Sequence, residues 1–259
     1  MAYTRYIYRF KDSIEYEFHY AGKYGAKGEK RSKKVKATPE QIEKQNQKNK
    51  ENKVRRLIKA NFKQNDLWLT LKFPKGTRKP PDEVKKLLGV FLESLRRKYK
   101  RRGSELKFIY RMEIGKQGGI HIHMICNDIT DAFKLIQDTW KHGRVNFQCL
   151  YEDGEYEQLA SYLVKQPDEE VGQQLSLFPE EDQKQFIKYS SSRNLIRPAP
   201  EKKKFTHYTV RKLIENGPTA SEGFYIDQSS IRQGINNITG TSYLYYTEYR
   251  LRPPEKGRT

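Results

Sequence analysis

Two alternating runs, Lys107 to Ile114 and Ile120 to Asn127, flank the glycine-rich link Gly115-Lys116-Gln117-Gly118-Gly119, and they constrain the fold more than any other feature. So short a link closes an antiparallel hairpin, because parallel neighbours need a much longer crossover. In the second run, alternation puts Ile122, Met124 and Cys126 on one face and His121 and His123 on the other. With the turn centred on Gln117, Glu113 falls directly opposite His121, with β-carbons ~5 Å apart.

The flanking segments extend the pattern. Leu67, Leu69, Leu71 and Phe73 alternate with Trp68, Thr70 and Lys72, which predicts a strand. Val84, Leu87, Leu88, Phe91, Leu92, Leu95 and Tyr99 recur at helical spacing, so a helix is expected over about 82–100. Asp131 to Trp140 reads as a short helix, Arg144 to Leu150 as a fourth strand, and Glu155 to Lys165 as a third helix. This order is the split βαβ arrangement. The expected class is α+β: a four- to five-stranded antiparallel sheet with helices on one face, the active site on the open face, and N- and C-terminal extensions.

Three segments are expected along the chain: 1–62, 63–198 and 199–259. The first holds a hairpin (Tyr6, Tyr8, Phe10, then Ile14, Tyr16, Phe18, Tyr20) and a basic stretch from Gly22 to Lys36. Thr38-Pro39-Glu40-Gln41 then has the form of a capping box, starting a helix that turns apolar only at Val54, Leu57 and Ile58. After the middle segment's third helix, the acidic, Gln-rich stretch from Gln166 to Gln185 reads as a surface loop or insertion. The last segment should carry a short helix ending near Gly217-Pro218 and an alternating run from Tyr243 to Leu251; a DNA-binding wing and a structural extension are both open for it.

A net charge of +19 over 259 residues favours a polyanionic partner, and 18 tyrosines suit stacking on bases beside phosphate contacts. No run is long and apolar enough to span a membrane, and no signal-peptide core opens the chain. Two cysteines, Cys126 and Cys149, exclude a disulfide framework and a four-thiolate zinc site.

Two imidazoles on one strand face with a carboxylate in register form a set able to hold a divalent ion while leaving positions open for substrate. A second pair lies in Tyr162-Leu163-Val164-Lys165, where i and i+3 share a helix face. A phenol is a weak nucleophile at its ordinary pKa near ~10, so it needs a polarised electrophile, help losing its proton, or a neighbouring positive charge.

Taken in order, Asn61-Phe62 with Leu67 to Phe73, Glu113 with His121-Ile122-His123, Tyr162 to Lys165, and Ser192-Arg193-Asn194-Leu195 resemble the motifs of the HUH endonucleases. Among these the likeness is to rolling-circle replication initiators (Rep proteins) of plasmids, phages and integrated elements, related to the gene II proteins of filamentous phages. The resemblance covers roughly residues 38–198. It implies sequence-specific nicking and rejoining of single-stranded or extruded hairpin origin DNA, with Tyr162 as nucleophile, Lys165 as helper, and Mg²⁺ or Mn²⁺ on Glu113, His121 and His123. Trp68, Thr70, Lys72, Arg111 and Arg193 are the expected DNA contacts, and Tyr156 or Tyr189 is open as a second tyrosine. The setting implied is the cytoplasm of a bacterial host. No Gly-x-x-x-x-Gly-Lys-Ser/Thr stretch occurs, so a host helicase and polymerase are implied partners. A non-catalytic RRM-like nucleic-acid binder and a relaxase for conjugative transfer are the alternatives; a zinc hydrolase of small molecules leaves the basic charge unexplained.

Overall fold

A computed structural model describes residues 3–20, 33, 35–77, 79–115, 119–150, 156–166, 172, 173, 175, 176, 179–205 and 210–251. In chain order the elements are β1 (Tyr3–Arg9), β2 (Ser13–Tyr20), α1 (Pro39–Asn61), β3 (Leu67–Lys72), α2 (Pro81–Arg101), β4 (Phe108–Ile114), β5 (Ile120–Cys126), α3 (Ala132–Thr139) and β6 (Arg144–Cys149). There follow α4 (Glu157–Val164), α5 (Glu180–Ile187), β7 (Tyr189–Ser191), β8 (Glu201–Phe205), α6 (Val210–Asn216), β9 (Phe224–Ile226), β10 (Arg232–Asn236) and β11 (Thr241–Arg250). They form two compact units: a central unit, Lys44–Arg197, and an end unit made of Met1–Glu43 with Pro198–Thr259.

The central unit has the expected α+β class. Its sheet runs β6-β3-β5-β4-β7 with every pair antiparallel, and its first four strands have the order that a split βαβ chain produces. One face buries Leu67, Leu69 and Leu71 of β3 with Ile122 and Met124 of β5 under α2 and α3. Each such side chain contributes ~1.5–3 kcal/mol by leaving water. Tyr99 of α2 is wholly buried among them, and its hydroxyl is satisfied by donating to the Asn127 carbonyl at 2.9 Å. On the other face Ile109 and Ile125 pack with Val54, Leu57 and Ile58 of α1 and Ala160 and Leu163 of α4. That face is therefore covered at one end by α1 and α4, and polar rows continue the sheet from there.

Local details follow the sequence where the chemistry is local. The capping box forms: the Gln41 N–H donates to Thr38 Oγ1 at 3.2 Å, and the Thr38 N–H donates to Gln41 Oε1 at 3.1 Å. The Gln-rich stretch differs from the loop expected, because α5 starts at Glu180 behind Pro179. Phe186 explains it, as this 2% exposed ring joins the core under the sheet. Within that stretch 167–171, 174, 177 and 178 lie outside the described residues, as do hairpin-link residues 116–118 and most of the basic stretch at 22–36.

The end unit is a sheet of order β10-β11-β2-β1-β8, with β9 also paired to β11. The expected hairpin and the Tyr-rich run meet directly, from Leu244 opposite Phe18 to Tyr249 opposite Ser13. Its core gathers Tyr3, Ile7, Tyr16, Phe18, Leu244 and Tyr246 under Val210 of α6. Glu248, 1% exposed, accepts from the Tyr16 hydroxyl at 3.3 Å and the Ser221 N–H at 3.2 Å. No helix among the described residues is long and apolar enough to cross a membrane.

Gly143 joins α3 to β6 at φ +142°, where an added Cβ would lie 2.1 Å from the Lys72 carbonyl oxygen. Only glycine lets the two backbones approach so closely. Gly143→Ala should destabilise by about 3 kcal/mol or more in urea unfolding, whereas Gly103→Ala, at φ +71° with open space around it, should cost about 1 kcal/mol. Equal midpoints for the two variants would refute the close-approach account.

Candidate active site

Strand register arranges the second face of the central sheet in rows, because residues directly opposite share a face. One row is Asn146, Thr70, His123, Arg111 and Tyr189, and the next is Arg144, Lys72, His121 and Glu113. The expected pairing of Glu113 with His121 is present. α4 adds Tyr162: its hydroxyl donates to Glu113 Oε2 at 2.5 Å and lies 2.9 Å from His123 Nε2. His123 Nε2 is itself 2.9 Å from Glu113 Oε2, so three functional groups meet at one point.

The phenolic proton goes to Glu113, so a proton on His123 Nε2 would face both oxygens. Thr70 Oγ1 lies 3.2 Å from His123 Nδ1 and can donate to that nitrogen. A hydroxyl also accepts, so Thr70 can support the opposite tautomer, the one that turns a bare Nε2 toward a cation. Trp68 closes this corner, stacked on His123 (centroids 5.6 Å apart, 17° between planes) and edge-on to Tyr162.

These contacts shift the acidities. The Glu113 carboxyl is held down at about 2, chiefly by its hydrogen bond from His123 and then by that from Tyr162, against the opposing effect of burial. Burial raises the Tyr162 phenol, and Glu113 raises it further, so in this arrangement the nucleophile candidate is fully protonated. His121 is lowered by burial first and by Lys72 next, which favours the neutral imidazole that a metal needs.

Two of the three expected metal donors converge, on the Tyr162 hydroxyl. The third, His121, shares their face, but its ring is 6.4 Å from that of His123 at 81° and leans toward Gly115. Among the described residues no three His, Cys, Asp or Glu side chains are grouped closely enough to hold a metal ion as they stand. In chemistry the set of two imidazoles and one carboxylate suits a divalent ion.

The other expected residues are placed as follows. Arg111 is 5% exposed, with Nε donating to the Phe186 carbonyl of α5 and Nη1 to the Tyr162 carbonyl of α4, so one donor ties each helix to the sheet. Lys165 is the C-cap residue of α4, its N–H donating to the Tyr162 carbonyl at 3.4 Å, and its side chain is exposed. Tyr156 precedes α4 in the left-handed region and Tyr189 is half-buried on β7. Arg193 is exposed in a cleft lined also by Arg96 and Lys100. The Asn61 amide bonds both the N–H and the carbonyl of Ile196, and Ser192 Oγ accepts from the Phe108 N–H, so the outlying motifs dock the chain after β7. Sequence reasoning missed Arg144 and Asn146, which alternation along β6 identifies once the strand order is known.

Thr70→Val keeps the shape and removes the tautomer support. It should lower divalent-ion affinity by about 10- to 100-fold in calorimetric titration with little change in the unfolding midpoint. Unaltered affinity would show that Thr70 plays no part in presenting His123.

No curated protein and no solved structure shows a significant match to the chain. Residues 66–167, from the start of β3 to just beyond α4, match the family of replication-associated proteins of the ORF2 and gene II protein type. That likeness contains Glu113, His121, His123 and Tyr162 and supports a part in replication initiation.

Proposed function

We propose that the protein initiates rolling-circle replication by nicking single-stranded origin DNA, with Tyr162 as the nucleophile. The observation that carries this reading is the meeting of the Tyr162 hydroxyl with Glu113 and His123 at 2.5 and 2.9 Å. A lone phenol on a sheet face has no such setting, whereas a nucleophile beside a carboxylate–imidazole pair is the arrangement that phosphoryl transfer uses. Glu113, His121 and His123 would hold Mg²⁺ or Mn²⁺, which when bound withdraws charge from a phosphate oxygen.

Tyr162 Oη attacks the phosphorus and gives up its proton to water. The bond from phosphorus to the 3′ oxygen breaks, and that oxygen takes a proton from water. The products are a 5′-phosphotyrosine and a 3′-hydroxyl able to prime a polymerase. The phosphotyrosine keeps the energy of the broken bond, so attack by a 3′-hydroxyl rejoins DNA. Lys72 and Arg144, in the row of His121, suit phosphate contact, and Trp68 bounds the space that the strand enters. Lys165 supplies positive charge at the end of α4. A host helicase and polymerase would complete replication.

The test is incubation with candidate origin single strands and Mn²⁺, followed by a denaturing gel. Wild type should give a covalent adduct and Tyr162→Phe none, while His121→Ala should slow adduct formation by at least about a hundredfold and keep salt-sensitive DNA binding. An adduct that persists in Tyr162→Phe would sink the assignment.

A further inference from the structure

We infer that the end unit carries its own single-stranded DNA platform, on the face of its sheet that does not form the core. Tyr3, Ile7, Tyr16, Phe18, Leu244 and Tyr246 all lie on the core face. Strand alternation sends Tyr6, His19, Tyr243 and Tyr245 to the opposite face, where each is partly exposed. Their rings join across three strands: Tyr6 to His19 at 5.3 Å, His19 to Tyr245 at 5.2 Å, and Tyr245 to Tyr243 at 5.3 Å between centroids. Tyr243 spreads over Gly234 of β10, where a Cβ would come within 3.2 Å of its hydroxyl. Rings in the hydrophobic core would explain themselves by burial; these do not belong to it.

Cations rim the ring band on both sides. Lys202 and Lys204 of β8 share the face through their pairing with Tyr6 and Thr4, and Lys202 Nζ lies 5.5 Å from the Tyr6 ring. On the far edge Arg232 pairs with Tyr245. All three are exposed. Four strand spacings separate the rims, about 19 Å. Glu17 sits in the middle, hydrogen-bonded to His19 at 3.2 Å. Its carboxylate disfavours a phosphate over the centre, so the arrangement sorts the ligand: bases over the rings, phosphates at the rims. Only unpaired bases offer their faces to such rings, which selects single strands over duplex. None of this needs the chemistry at Tyr162.

The test uses the full chain and fluorescence anisotropy with a labelled oligothymidylate, its duplex counterpart, and an oligouridylate. The combined variant Lys202→Gln, Lys204→Gln, Arg232→Gln should weaken oligothymidylate binding on the order of tenfold and lower the salt slope by about two. Tyr243→Leu should weaken it about tenfold with the slope unchanged. A control removing the same charge elsewhere, Lys85→Gln, Lys86→Gln, Lys134→Gln, should leave the affinity nearly unaltered. The inference is overturned if the control triple weakens binding as much as the face triple. It is overturned equally if duplex or oligouridylate binds more tightly than oligothymidylate, or if Tyr243→Leu abolishes self-association and leaves DNA affinity intact. Adduct formation by Tyr162 at saturating DNA should be unchanged in every variant, which separates failure here from failure of the nicking reading.

Discussion

The antiparallel register of β5 between β3 and β4 is the constraint on which the central unit depends. With Thr70 opposite His123 and Glu113 opposite His121, two polar rows stand on one face and Leu69, Ile122 and Met112 on the other. A slip of one residue would exchange the faces, sending both imidazoles into the apolar core and the leucines into solvent. Burial of Leu67, Leu69 and Leu71 thus specifies the site's geometry as firmly as it specifies stability. The same side chains that hold the sheet together decide which groups can meet above it.

Tyr162 is positioned by a different device. The hydroxyl comes from α4, and the end of that helix is tied down by Arg111, whose guanidinium reaches the Tyr162 carbonyl and that of Phe186. A buried guanidinium spanning two carbonyls fixes both backbones at once, because its donors lie in one plane. Arg111 therefore belongs to the support of the cluster, and the carboxylate of Glu113 in the neighbouring row offsets the cost of its burial.

What could be read from the chain is what depends on short range. The alternation in β3, β4 and β5, the helical stripe of α2, the capping box at Thr38 and the opposition of Glu113 to His121 all follow from spacing, and all are present. The helix of Phe186 escaped because its polar, Gln-rich surroundings hide one anchoring ring. The roles of Thr70 and Arg111 escaped because each bonds a group remote in sequence: a ring nitrogen on another strand in one case, two carbonyls on helices in the other. The sheet of the end unit was illegible for the same reason, since alternation marks β2 and β11 as strands without saying that they are neighbours.

That neighbourhood bears on how the chain is made. β2 ends at Tyr20 and its partner β11 begins at Thr241, so during synthesis the pairing waits until every element from β3 to β10 has been made. A two-stranded hairpin is marginal by itself in water, and β1 with β2 is no more than that until β8 and β11 arrive. The central unit is contiguous and has its last strand by Ser191. Once compact, it shortens the free chain between β2 and β11 and so lowers the entropy lost when they pair. β1 and β2 thereby gain their outer neighbours only after the central unit between them has been made, and the order of one segment is decided by another far along the chain.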